Sequence, residues 1–191
     1  MKRMQRRTKG RYVSIFETGM GSGAVVASDN GLLEVFIPTL IQSHEELPVE
    51  LSRLFPGSEG ENSLTGEAAT LLARYFAAEK VNFSLPVDDH DFTPFQREVY
   101  RTVVRIGYGE VKSYGEVALE MGHPQASRGV GTAMASNPLP IVIPCHRVVG
   151  GKGSMTGYSA PGGIVLKQWL LRLEGVKLDS CGRVADLIVA K

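Results

Sequence analysis

Cysteine, histidine and long apolar runs are scarce in this sequence. Only two of its 191 residues are cysteine, Cys145 and Cys181, and only four are histidine. Two cysteines are too few for a disulfide scaffold or a four-cysteine zinc site, so we expect no structural metal. No stretch approaches the roughly 18 apolar residues of a membrane helix, and no apolar segment follows the basic N-terminus as in a signal peptide. We therefore expect a cytoplasmic protein, or a nuclear one in a eukaryote, that does not bind membranes.

Carboxylates are missing from one long stretch, between Glu120 and Glu174. The net charge of +1 hides an uneven distribution: residues 1–11 carry six Lys or Arg and no acid, residues 12–88 carry three against eleven, and residues 89–191 carry twelve against nine. An acid-free stretch suits a polyanionic partner, because each phosphate contact releases counterions and a nearby carboxylate would oppose it. Chance, with a buried apolar segment, is the alternative. The cations of this stretch are Arg128, Arg147, Lys152, Lys167 and Arg172.

The N-terminal half has the pattern of a small α+β unit. Residues 1–11 show no periodicity and are expected to form a basic flexible arm. The unit itself is predicted to contain a hairpin of residues 24–28 and 32–36 around Asp29-Asn30-Gly31, a loop rich in Pro, Ser, Glu and Gly, a helix over 64–79, and a closing strand over 81–85.

From residue 89 the pattern becomes mainly helical. Three helices are predicted: residues 94–107 after the capping box Thr93-Pro94-Phe95-Gln96, a second from Tyr114 to Gly122 capped by Ser113 with Glu116, and a third over 124–135 before Asn137-Pro138. Two helices joined by a short turn are typical of a helix-turn-helix. Beyond them we predict a buried extended segment over 139–144, a β-hairpin or wing over 147–158, an amphipathic helix over 163–174, and an apolar tail over 177–191.

Cys145 lies in a stiff segment, between Pro144 and His146-Arg147. Its cationic neighbours are expected to favour the thiolate over a thiol with an ordinary pKa of about 8.5, which indicates a positioned nucleophile. A buried, inert cysteine is the alternative, and it is the common fate of a lone cysteine. Because consecutive side chains usually diverge, a proton transfer from Cys145 to His146 would run through a water molecule.

Glu174 occupies an electrostatically unfavourable position. It lies in the last turn of a predicted helix, where the macrodipole is negative, so a partner should compensate its charge. A histidine would do so and would give a chain of Glu174, His146, water and Cys145 in which each member orients the next. A solvated terminal glutamate is the alternative.

The predicted helix over 124–135 offers few side chains that could read bases. Around Arg128 it contains mainly small residues, including Gly129 and Gly131. Each internal glycine costs roughly 1 kcal/mol relative to alanine, so close backbone approach is expected on one side of the helix. A slim helix with one cation can enter the minor groove, about 6 Å wide, without reading sequence. A tight helix crossing inside the protein is the alternative.

Six motifs follow one another in the C-terminal half: Tyr114-Gly115-Glu116-Val117-Ala118, Ser127-Arg128-Gly129-Val130-Gly131, Asn137-Pro138-Leu139-Pro140-Ile141-Val142-Ile143, Pro144-Cys145-His146-Arg147-Val148, Gly157-Tyr158-Ser159 and Trp169-Leu170-Leu171-Arg172-Leu173-Glu174-Gly175. Together they closely resemble the O6-alkylguanine-DNA alkyltransferase family over about residues 92–175. The N-terminal half fits this family only loosely.

The resemblance implies an α+β protein of two domains. Residues 12–88 would form a small antiparallel sheet with a helix, ribonuclease-H-like in type, and residues 89–176 a winged helix-turn-helix that holds the thiol. The implied activity is direct DNA repair by a monomer without a cofactor. An alkyl group would pass irreversibly and stoichiometrically from O6-alkylguanine, and from O4-alkylthymine, in double-stranded DNA to Cys145 after base flipping through the minor groove.

The resemblance also implies residue roles. Cys145 would accept the alkyl group, His146 and Glu174 would form the relay, Tyr114 would assist extrusion and protonate the leaving guanine, and Asn137 would hold the turn before the cysteine. The base pocket would be formed by Met134, Pro140, Val148, Tyr158 and Ser159, with the carbonyls of Cys145 and Val148 and the amide of Ser159 facing the base. Arg128 would fill the vacated base stack, and Ala126, Ser127, Gly129 and Gly131 would lie against the DNA.

The sequence departs from the family in three places. The N-terminal domain has no cysteine, so the zinc site of some members is not carried over, Ala135 stands where some members have a basic residue, and the loop Ser159-Ala160-Pro161-Gly162-Gly163 is longer than usual. Two other functions remain open at this point. A non-catalytic lesion-binding protein of the same fold would lack the cysteine, and a cysteine hydrolase would turn over.

Overall fold

The structure, a computed structural model, describes residues 10–38 and 46–185. The chain divides into two compact units, residues 1–90 and residues 91–191. Among the described residues, no helix is both long and apolar enough to cross a membrane. Most of the predicted basic arm, residues 1–9, and the end of the predicted tail, residues 186–191, lie outside the described residues.

The first unit contains a three-stranded antiparallel sheet in the order β1 (Arg11–Thr18), β2 (Gly21–Ser28), β3 (Gly31–Phe36). The predicted hairpin is confirmed as β2 and β3. The predicted helix is confirmed as α2 (Ser63–Phe76), which begins at an Asn62–Thr65 capping box. Its buried side chains, among them Leu72 and Tyr75, pack beside the sheet.

Two predictions for the first unit are wrong. A helix, α1 (Glu46–Leu54), lies within the predicted loop, and its Leu47 and Leu51 pack against Ala24 and Val26 of β2. A helix this short is stable because one of its faces is buried. Since turn-forming residues surround it, the sequence pattern does not indicate a helix here. Residues 81–85 form no strand, because the chain pairs with β3 only later: Leu32 donates to the Pro86 carbonyl at 2.8 Å, and Asp88 donates to the Leu32 carbonyl at 3.0 Å.

The second unit is mainly helical, as the sequence predicts. Its elements are α3 (Pro94–Val103), β4 (Lys112–Ser113), α4 (Tyr114–Glu120), α5 (Ser127–Ala135), β5 (Val148–Val149) and α6 (Gly163–Leu173). Both predicted capping boxes are present, and Gly122 ends α4 with a φ of 75°. The helix predicted from Pro124 begins only at Ser127, because Pro124 and Gln125 form a turn.

The two segments predicted around Cys145 differ from expectation. Residues 147–158 form no hairpin: β5 pairs in parallel with β4, and a 3-10 turn follows at Gly151–Gly153. Residues 139–144 are buried but not extended, since the Ile143 amide donates to the Leu139 carbonyl at 2.7 Å. Within this turn Ile141 has a φ of 73°, a conformation that costs a β-branched residue about 1–3 kcal/mol.

Candidate active site

Cys145 begins a short 3-10 turn, Cys145–Arg147, directly after the strained turn. Asn137 holds that strained turn from both sides: its Oδ1 accepts from the Leu139 amide at 3.0 Å, and its Nδ2 donates to the Ile143 carbonyl at 2.8 Å. These two bonds replace pairing that the backbone cannot make within the turn. Cys145 is thereby fixed, with 5% of its surface exposed.

The thiol of Cys145 is not activated in the way that the sequence suggests. Burial raises its pKa, and this rise is opposed by the Asn137 side chain, by the Lys167 ammonium and by the backbone amides of Cys145 and His146. His146 and Arg147, the cationic neighbours in sequence, direct their side chains to Glu174 instead. The expectation that these neighbours favour the thiolate as cations is therefore wrong, because both side chains bind Glu174 and His146 is neutral near pH 7.

Glu174, which follows the last residue of α6, is at the centre of a buried polar network. Its Oε1 lies 2.8 Å from Nε2 of His146, and it accepts from Nη2 of Arg147 at 2.9 Å. Its Oε2 accepts from Nε of Arg147 at 2.9 Å and from the Gly109 amide at 3.0 Å. The contact between Glu174 and His146 is the one predicted from helix electrostatics, whereas the Arg147 contact was not expected.

The charges in this network fix the proton on His146. Burial opposes ionisation of Glu174, but His146 and Arg147 together lower its pKa to about 2. Burial also lowers the pKa of His146, so that the imidazole is neutral near pH 7. An ionised carboxylate can only accept hydrogen bonds, so we assign the proton of His146 to Nε2. Nδ1 then carries the lone pair and is the basic atom of the ring.

Lys167 is a site residue that sequence reasoning missed. It is fully buried on α6, and its Nζ donates to the Val148 carbonyl at 2.6 Å. The same Nζ lies 5.8 Å from the ring centroids of both Tyr114 and Tyr158. Burial lowers its pKa to about 8, and the nearby Cys145 opposes that shift. Its position on the helix face with Leu166, Leu170 and Leu171 was the available sequence signal.

Of the other predicted base-pocket residues, Tyr158 lies near the thiol, and Met134, Pro140 and Val148 are buried. Burial, together with the nearby Cys145 thiol, raises the pKa of the Tyr158 phenol well above its usual value. Met134 is 4% exposed, and Pro140 is also buried. The Cys145 carbonyl accepts from the Val148 amide and the Val148 carbonyl accepts from Lys167, so each oxygen retains one lone pair for a ligand.

Tyr114 and Ser159 hold the loop that follows β5. The Tyr114 hydroxyl donates to the Thr156 carbonyl at 3.0 Å, and burial raises the pKa of this phenol. The Ser159 hydroxyl donates to the Ala135 carbonyl, at the end of α5, at 2.7 Å. Both residues therefore connect the loop to the helices before it.

Arg128 is exposed on the first turn of α5, with Ala126 at the N-cap and Ser127 at the first helical position. Both glycines of this helix lie near aromatic side chains of the same unit. A Cβ on Gly129 would lie 3.0 Å from the ring of Phe95 on α3, and one on Gly131 would lie 3.9 Å from the ring of Tyr114. For Gly129 the helix-crossing alternative holds, and the expectation that its backbone lies against DNA loses its support.

The acid-free stretch supplies fewer surface cations than the sequence suggests. Arg147 and Lys167 are buried in the site, whereas Arg128, Lys152 and Arg172 are exposed. Within residues 10–38 and 46–185, no group of three or more His, Cys, Asp or Glu side chains could hold a metal ion.

Known proteins are similar to this chain in sequence and in fold. Residues 94–176 match the family described as 6-O-methylguanine DNA methyltransferase, DNA binding domain. The chain is 37% identical over 165 residues to the methylated-DNA–protein-cysteine methyltransferase of Methanosarcina acetivorans, covering 86% of this chain and 98% of that protein. It is 36% identical to the constitutive methylated-DNA–protein-cysteine methyltransferase of Bacillus subtilis, covering 86% and 96%.

Solved structures agree with the sequence relatives. The crystal structure of Mycobacterium tuberculosis OGT in complex with DNA has a TM-score of 0.66 to this chain at 30% identity, over 92% of this chain and 97% of that one. The O6-methylguanine-DNA methyltransferase of Pyrococcus kodakaraensis has a TM-score of 0.62 at 25% identity, over 87% and 99%.

Proposed function

Because the chain belongs to the methylated-DNA–protein-cysteine methyltransferase family, we propose that it repairs DNA directly, by transferring the alkyl group of O6-alkylguanine to Sγ of Cys145. The observation that carries the proposal is the buried hydrogen bond of 2.8 Å between Glu174 and His146, one residue from the cysteine. This bond leaves the basic Nδ1 of His146 on the side of the ring away from Glu174. Without the bond to Glu174, either ring nitrogen of a neutral histidine could carry the proton, and Nδ1 would not be fixed as the basic atom.

The chemical step needs a thiolate and a leaving guanine. The Cys145 proton passes through a water molecule to Nδ1 of His146, while Lys167 and Asn137 stabilise the sulfur anion. The sulfur then attacks the alkyl carbon, a C–S bond forms, and the bond from that carbon to O6 breaks with its electron pair going to the guanine. Tyr114 supplies the proton that neutralises the guanine, after its hydroxyl leaves the Thr156 carbonyl, and the proton held by His146 then passes through water to the Tyr114 phenolate.

The base is held in a pocket walled by Met134 and Pro140. The carbonyls of Cys145 and Val148 accept from its exocyclic amine, the amide of Ser159 faces O6, and the ring of Tyr158 lies beside the thiol. Each carbonyl already accepts one hydrogen bond, so binding the amine uses its second lone pair. O4-alkylthymine presents a similar alkylated oxygen and is a second substrate.

The base reaches this pocket only when it is flipped out of the duplex, at a cost of a few kcal/mol. Helices α4 and α5 act as a helix-turn-helix, and β4, β5 and the following loop take the role of the wing. Arg128 enters the minor groove and fills the vacated base stack, while Ala126, Ser127 and Gly131 lie near the DNA. The sheet of residues 12–88 is ribonuclease-H-like, and residues 89–176 form the catalytic domain of a monomer.

No cofactor takes part in this reaction, and the resulting thioether is not cleaved. Each molecule therefore acts once. A substrate-excess assay with duplex DNA containing O6-methylguanine tests this: repair should stop at one lesion per protein molecule. Continued turnover would indicate a cysteine hydrolase, and tight binding without repair would indicate a lesion-binding protein.

A further inference from the structure

Residues 177–185 form a small hairpin that the repair reaction does not account for. The Ala185 amide donates to the Lys177 carbonyl at 3.0 Å, and the Asp179 amide donates to the Arg183 carbonyl at 2.8 Å. The Asp179 carboxylate closes the turn by accepting from the amides of Cys181 and Arg183, both at 2.8 Å. We call these residues the C-terminal hairpin.

The C-terminal hairpin packs against the second unit through one buried side chain. Val184 is 7% exposed and forms a cluster with Val149 of β5 and Leu171 of α6, beside which Met155 and Leu178 pack. From α6, the Gln168 side chain donates to the Gly182 carbonyl at 3.1 Å. The hairpin therefore has a defined place on the second unit, despite its polar turn.

The backbone of the C-terminal hairpin also touches the loop after β5, which we call the base loop (residues 150–159). The Val184 amide donates to the Gly153 carbonyl at 3.0 Å. Gly153 has a φ of 70°, and a Cβ there would lie 2.6 Å from the Val184 carbonyl oxygen. Only glycine satisfies both the conformation and the contact.

The base loop is thus fixed at two points. Its near end is held by Val184 at Gly153, and its far end is held by Tyr114 at Thr156 and by Ala135 at Ser159. Between these points lie the residues that approach the thiol, including Tyr158. When the Tyr114 hydroxyl leaves the Thr156 carbonyl, the near end of the base loop is still held by the hairpin contact at Gly153.

We propose that the C-terminal hairpin positions the base loop for substrate, with Val184 as a positioning residue that acts through Gly153. This inference rests on the proposed function, since it assigns the loop to base binding. The hairpin sets the affinity for the base and leaves the reactivity of the thiol unchanged, because Cys145 is fixed separately by Asn137 and the strained turn.

The test compares Gly153→Ala and Val184→Asp with Gly151→Ala, a matched control in the same loop where an added Cβ meets nothing within 4 Å. All proteins, including the reference, carry Cys181→Ser, so that Cys145 is the only cysteine. The reaction with free O6-benzylguanine is followed against its concentration, and alkylation by iodoacetamide reports the thiol alone.

Both hairpin-contact variants should raise the O6-benzylguanine concentration for half-maximal rate about tenfold, the equivalent of one lost ordinary contact. The maximal rate and the iodoacetamide rate should stay within about twofold of the reference, and Gly151→Ala should match the reference throughout. An unchanged half-maximal concentration, or an equal fall in the iodoacetamide rate, would overturn the inference. If Val184→Asp is unfolded in a thermal melt, Gly153→Ala decides.

Amide hydrogen exchange separates this inference from the proposed function. Exchange in residues 154–159 should be faster in Gly153→Ala than in Gly151→Ala, whatever the protein reacts with. Failure of the reference protein to react with O6-benzylguanine or with O6-methylguanine DNA would refute the function alone. Unchanged exchange in the base loop would refute the positioning role alone.

Discussion

The guanidinium of Arg147 binds the carboxylate of Glu174 through two nitrogens, with Nε 2.9 Å from Oε2 and Nη2 2.9 Å from Oε1. A third nitrogen, Nη1, donates to the Ile106 carbonyl at 2.7 Å. Glu174 therefore stays ionised without taking a proton from His146. Arg147 acts on the thiol only through these two residues, as a positioning residue.

Arg147→Met should destabilise the protein by about 3–5 kcal/mol, because it leaves the buried charge of Glu174 without its cation. The control is Arg74→Met, which breaks the exposed pair with Glu79 and should cost about 1 kcal/mol or less. Urea unfolding followed by circular dichroism gives both values. Equal losses in the two variants would show that Arg147 is not needed to compensate Glu174.

Stability should also depend on pH through Glu174. Its folded pKa of about 2 lies below the ordinary value of 4.5, so the folded state favours the ionised form. The stabilisation is complete above about pH 4.5 and is lost as the pH falls toward 2. Urea unfolding between pH 6 and pH 3 should therefore show a steeper loss for the wild type than for Glu174→Gln, and parallel curves would contradict this.

Lys167→Met should slow alkylation of Cys145 at neutral pH. Below its own pKa of about 8 the buried ammonium is charged and lowers the pKa of the thiol, so its removal should lower the alkylation rate on the part of the rising limb below about pH 8. On that limb, a thiol pKa higher by about one reduces the thiolate fraction, and with it the rate, about tenfold. The measurement is the iodoacetamide rate from pH 6 to pH 10 in a Cys181→Ser background. Arg172→Met, which removes an exposed cation from the same helix, should leave the profile unchanged.

Arg128→Ala should slow repair of duplex DNA much more than the reaction with free O6-benzylguanine, which needs no base flipping. Glu174→Gln should slow both reactions, because it weakens formation of the thiolate. For Tyr114→Phe, the ratio of the free-base rate to the duplex rate should lie between those of Arg128→Ala and Glu174→Gln, since the ring remains and the proton donor is lost. Rates with both substrates decide, and equal slowing by Arg128→Ala would mean that the arginine shapes the pocket and does not replace the base.

Sequence reasoning was most successful where the signal is local. The capping boxes at Thr93 and Ser113 fix the starts of α3 and α4, because each side chain bonds a backbone amide three residues away. The contact between Glu174 and His146 was predicted because a carboxylate at the negative C-terminal end of a helix needs a compensating partner.

The errors concern features that depend on tertiary contacts. In the sequence, Arg147 and Lys167 are two cations of an acid-free stretch. The structure shows that both are buried, that Arg147 binds Glu174, and that Lys167 lies near the thiol. Ile141 has a positive φ, which a β-branched residue rarely adopts, and the turn that contains it is held by hydrogen bonds from Asn137. The hairpin predicted over 147–158 from glycine content is wrong, because β5 pairs in parallel with the distant β4.

Peptide mapping by mass spectrometry after incubation with O6-methylguanine duplex DNA tests most directly whether Cys145 accepts the alkyl group. Cys145 and Cys181 are the two cysteines of the chain, so each serves as the control for the other. We expect one methyl group per protein molecule, on Cys145, and none on Cys181, with no transfer to Cys145→Ala although that variant still binds DNA. An unmodified Cys145 after the lesion has been repaired would contradict the account.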